Sequence, residues 1–129
     1  MNNDQLISEL LDLWGNCIGC QHHKSRDMEF NIIKGFTVYQ EPEYIVEHHG
    51  YVLHYLPTYS KFKSLAEAEQ YLIDLLTHGI LEEIESALDD SDEVFSDLPI
   101  NRANEIKSQL DGLAAKFKEI NFDRAWGLT

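Results

Sequence analysis

Positive charge is what this sequence has least of. Ten Lys and Arg stand against 23 Asp and Glu, a formal net charge of −13, and no base occurs between Lys63 and Arg102. A field of that sign repels nucleic acid and anionic membrane and attracts basic surfaces. Its size exceeds the charge of about 2 to 8 that solubility asks of a small domain. Cysteine is scarce too: Cys17 and Cys20 alone make no disulfide framework. No run approaches the roughly 18 apolar residues of a membrane span. Met1-Asn2-Asn3-Asp4 lacks the basic and apolar regions of a secretory signal. These absences point to a cytoplasmic protein that touches neither membrane nor, directly, nucleic acid. Glycine-rich phosphate loops, a nucleophile elbow and a His-Glu-x-x-His pattern are also missing. No catalytic residue is assigned, and a non-enzymatic role is favoured.

What is present suffices for one domain over 1–129: 43% of residues are apolar and 11% aromatic, enough for a core without covalent staples. The stretch Ser64–Asn101 sets the chain's character. It gathers Glu67, Glu69, Asp74, Glu82, Glu83, Glu85, Asp89, Asp90, Asp92, Glu93 and Asp97. Leu72, Leu76, Ile80, Ile84 and Leu88 run through it in steps of four, so it reads as a helix with one core-facing stripe and an acidic solvent face. Ser64-Leu65-Ala66-Glu67 has the form of a capping box. His78-Gly79 marks either a stop or a glycine tolerated within one long helix. Asp89-Asp90-Ser91-Asp92-Glu93 reads as an exposed loop without the ligand spacing of a calcium site.

Upstream, Leu6, Ile7, Leu10, Leu11 and Trp14 predict an amphipathic helix over 4–14, ended by Gly15-Asn16. Cys17-Ile18-Gly19-Cys20-Gln21-His22-His23 is the most chemical-looking stretch. A Cys-x-x-Cys turn places two thiolates on one side of a zinc ion, and His22 or His23 can complete the set. The second, separated ligand pair of a strong zinc motif would have to come from those histidines or from His48, His49 or His54. Two plain thiols beside surface histidines, or a redox pair, are the other readings.

A strand is expected over 29–39, bulged where the alternation slips between Ile32 and Ile33 near Gly35. Residues 40–43 read as a turn around Pro42. Tyr44–His48 and Tyr51–Leu56 flank His49-Gly50 as a hairpin would, pairing Val46 with Leu53 and Tyr44 with Tyr55. Tyr44, Val46 and His48 then share an apolar face, with Ile45, Glu47 and His54 on the other. Residues 57–63 connect sheet to helix. Pro99 suits the first position of the last long helix. Ala103, Ile106, Leu110, Leu113, Phe117 and Ile120 form its seam, of heptad type and short enough to be spent within the domain. Trp126 either covers the bundle or anchors a partner.

The expected fold is therefore α+β: a small antiparallel three-stranded meander packed against an N-terminal helix and two or three C-terminal helices. The expected function is that of an acidic binding protein, an inhibitor or immunity protein docking on the basic surface of a nuclease or nucleic-acid-binding protein. Glu82, Glu83, Glu85, Asp89, Asp90, Asp92 and Glu93 would carry that contact, with the chain a monomer or homodimer. The alternatives are a zinc-binding protein using Cys17, Cys20, His22 and His23, an accessory subunit, or a small enzyme with its site near the hairpin histidines.

Overall fold

The computed structural model describes residues 3–18, 29–49, 59–89 and 99–127. Helix α1 (Asn3–Ile18) is followed by strands β1 (Glu29–Phe36), β2 (Pro42–His49) and β3 (Tyr59–Phe62), then by helices α2 (Leu65–Leu88), α3 (Ile100–Lys116) and α4 (Phe122–Trp126). The strands form one antiparallel sheet in the order β1-β2-β3. This is the α+β arrangement the patterning predicts, with three helices after the sheet among the described residues.

Helix α1 outruns its predicted end and passes through Gly15 and Asn16. Its apolar stripe extends with it: Leu6, Leu10, Leu13 and Trp14 are buried, and Ile7 and Leu11 pack against them. Strand β1 carries no bulge. Its register with β2 is unbroken from Glu29↔His49 to Phe36↔Pro42. The neighbours Ile32 and Ile33 simply take opposite faces, Ile32 packing on the core and Ile33 standing 43% exposed. The turn lies at 37–41 and not at 40–43. Thr37 organises it: its Oγ1 accepts from the amides of Tyr39 and Glu41, and its carbonyl accepts from Gln40. Gln40 takes the positive φ of 65°. Pro42 therefore opens a strand, a position where its missing N–H is tolerated.

The third strand is not the predicted one. Tyr44 pairs with Phe62 and Val46 with Ser60, so 59–62, expected as connector, occupies the edge of β2 assigned to 51–56. Residues 50–58 lie outside the described residues. The reason is visible in the side chains. Phe62 falls on the same face as Tyr44, and its ring lies 5.1 Å from that of Tyr71 on α2. The strand that abuts the helix cap thus ties sheet to helix. Val46 is fully buried and Glu47 lies on the opposite face, as the alternation of β2 requires.

The core is built around α2. Ser64 caps it, its Oγ accepting from the Glu67 amide at 3.2 Å. The helix then runs unbroken to Leu88, about 36 Å. Every residue from Leu72 to Ile80 is buried, because α1, α3, α4 and the sheet all pack against it. Gly79 does not stop it. A Cβ there would fall inside the Trp14 ring, so the glycine is the notch into which α1 sets its indole. Such a glycine costs about 1 kcal/mol of helix propensity, and the packing of Trp14 offsets it. Pro99 serves as the cap of α3 and not its first residue. Ala103, Ile106 and Leu110 bury the inner face of α3, and the seam continues past the helix end as Phe117 and Ile120.

Candidate functional site

The middle of α2 carries a polar ladder inside an apolar helix: Gln70, Asp74, His78 and Glu82, each four residues from the next. Asp74, expected on the acidic solvent face, is buried at 5% exposure. Its two carboxylate oxygens accept from the Arg124 Nε at 3.0 and 2.9 Å, and one accepts from the Gln70 amide at 3.1 Å. Arg124 and Gln70 both also donate to the Glu119 carbonyl. This network clamps the 117–121 turn and α4 onto α2. Asn121 caps α4, its Oδ1 accepting from the Arg124 amide at 2.9 Å. Buried polar groups are matched here by charge-assisted bonds, the condition under which they are tolerated.

One turn on, His78 is fully buried. Its Nδ1 lies 3.0 Å from the Ala125 carbonyl. A carbonyl can only accept, so Nδ1 carries a proton. The other ring nitrogen, Nε2, faces the Glu82 carboxylate at 3.8 Å. The Trp126 ring stands edge-on to the imidazole at 5.3 Å. The clamp and the histidine together hold Trp126 over the outer half of α2.

Two depressions meet at that indole. The first, about 140 Å³, is lined by Glu82, Glu85, Ser86, Asp89 and Trp126. The second, about 240 Å³, runs between α2, α3 and α4, with Leu81, Ile84, Leu88, Leu110 and Phe122 along its floor. Glu85 and Trp126 line both. Lys107 and Asp111 stand on the α3 side of the groove. Among the described residues, three other bases are engaged elsewhere: Arg102 with Glu105 at 2.8 Å, Lys61 with Glu43 at 3.7 Å, and Lys116 over the Phe117 ring.

Of the residues predicted to bind a partner, Glu82, Glu85 and Asp89 therefore come together around one cleft. Glu83 is half-buried and is not part of its lining. Asp90, Asp92 and Glu93 lie outside the described residues. Cys17 sits in the last turn of α1, while its side chain and Cys20, His22 and His23 lie outside them as well. Among the described residues no three His, Cys, Asp or Glu side chains gather as metal ligands would. No helix among them is long and apolar enough to cross a membrane. Sequence reasoning missed Asp74 and His78 as structural centres. The signal available was their four-residue spacing with Gln70 and Glu82 through the most apolar part of the helix.

No protein-family model, no curated protein and no solved structure matches this chain.

Proposed function

We propose that this chain is a non-enzymatic binding protein whose acidic α2 face docks on a basic protein surface, in the manner of an inhibitor that covers the nucleic-acid-binding face of a nuclease or similar protein. The observation that carries the reading is the grouping of Glu82, Glu85 and Asp89 around the Trp126 indole. Carboxylates of one sign steer a basic partner into encounter. An aromatic ring held at the centre of such a patch is the usual anchor once water is expelled. The sequence reads Trp126 as a cover for the bundle or an anchor for a partner, and the second role is the one proposed. Trp126 suits it, because the Arg124–Asp74 clamp and His78 hold the indole beside the acids.

The test is capture of partners from the native cell extract on the tagged chain, beside a variant with Glu82→Gln, Glu85→Gln and Asp89→Asn. A specific partner should be basic, and its association rate should fall by about tenfold or more in the variant at low salt. Raising salt should close the gap between the two chains. A captured partner whose association rate is the same with either chain removes the acidic face from the interaction.

A further inference from the structure

Trp126 and Glu85 belong to the walls of both depressions, so the acidic cleft and the apolar groove are contiguous. On α2, Leu88 and Leu81 lie about 40–60° to one side of Glu85, and Asp89 and Glu82 about as far to the other. Resting on the docking reading above, we infer that the two form one receptor and that its ligand is a basic amphipathic helix. The apolar side chains of that helix enter the groove over Leu81, Leu88 and Phe122. Its Lys or Arg residues lie on Glu82, Glu85 and Asp89.

Three features argue for this occupant. At about 240 Å³ the groove is smaller than the roughly 300–1,000 Å³ of small-molecule pockets, and it suits anchoring side chains. Glu82 to Asp89 spans two helical turns, about 10.5 Å, the distance over which a helix presents bases at i, i+3 or i+4, and i+7. The banks also differ in charge. Carboxylates line the α2 bank, while on the α3 bank Lys107 stands one turn from Asp111 and offsets it. The ligand helix therefore carries its bases on the flank that faces α2.

A synthetic Leu/Lys peptide with leucines at i, i+3, i+4 and i+7 tests this by calorimetry on the full chain, alongside a scrambled peptide of the same composition and a Leu/Glu peptide of the same pattern. The patterned Leu/Lys peptide should bind about tenfold more tightly than the scrambled one, the difference one buried anchor makes. Leu88→Gln, checked for unchanged helicity, should erase that preference. Lys107→Ala, at an exposed rim position, should tighten the patterned peptide severalfold. Equal binding of patterned and scrambled peptides, both weakened when the three acids become amides, overturns the inference and leaves the acidic face standing. Binding of the Leu/Glu peptide in preference, or no binding of any peptide at low salt, overturns both readings. Self-association of the chain that Leu88→Gln abolishes assigns the groove to a second copy and overturns the inference alone.

Discussion

The inner and outer halves of α2 are one helix under two regimes. From Leu72 to Ile80 every side chain is buried, and each polar one is bound inside the protein: Asp74 to Arg124 and Gln70, Thr77 to the Ile73 carbonyl at 2.7 Å, His78 to the Ala125 carbonyl. From Leu81 to Asp89 the helix splits into an apolar bank and an acidic bank that open onto depressions. Polarity in the first half specifies where α4 sits. In the second half it is presented outward. The contrast implies that substitutions in the inner half act on stability and those in the outer half on association.

Gly79→Ala is the largest expected break of the inner half. The added methyl collides with the Trp14 ring, a rigid body in a packed core. A loss of about 3 kcal/mol in urea unfolding is expected, despite the better helix propensity of Ala. In a Trp14→Ala background the collision partner is gone, so the added cost of Gly79→Ala should shrink toward zero. A cost that stays the same in both backgrounds would separate the glycine from the indole.

Asp74→Asn comes next. It leaves Arg124 and Gln70 without their shared carboxylate, and Arg124 is 44% exposed, so part of its charge returns to water. A loss of about 2 kcal/mol is expected. Amide exchange should rise first in α4, since the clamp holds that helix. In the outer half the three-fold exchange of Glu82, Glu85 and Asp89 for amides should leave stability within about 0.5 kcal/mol of the parent, while changing association as described above. Loss of several kcal/mol there would erase the distinction between the halves.

How much of this the sequence disclosed follows the range of each interaction. The stripe of α2, the Ser64 cap, the alternation of β2 and the seam of α3 are local periodicities, and they were legible. The third strand was not, because His49-Gly50 is a strong short-range hairpin signal, while the tie from Phe62 to Tyr71 and the abutting cap of α2 favour 59–62. Gly79 read as a possible stop because its reason lies on another helix, in Trp14. Asp74 read as a surface acid because Arg124 is 50 residues away. Of the site, the acids were legible and their grouping with Trp126 was not: that depends on the fold of the last residues back onto α2.

The smallest effect lies at the opposite end of α2 and sharpens the same comparison by pH. Glu69 meets the start of α1, and its carboxyl is pushed above the ordinary glutamate range. Partial burial is the main cause, Asp4 adds repulsion, and a hydrogen bond from Asn3 opposes both. A group whose folded pKa is raised holds its proton more tightly folded than unfolded. Its contribution to stability is therefore full below the unfolded value and lost as pH rises through the folded one. Glu69→Gln removes that loss. The variant should be the more stable at pH 7, by about 0.5 kcal/mol or less because the carboxyl still reaches water and is screened. The advantage should vanish below about pH 4, where the parent side chain is itself protonated. Paired urea titrations across that range read it directly. An advantage that grew on acidification would mean that Glu69 is held by a favourable partner, and that the two helix starts attract where their charges say they repel.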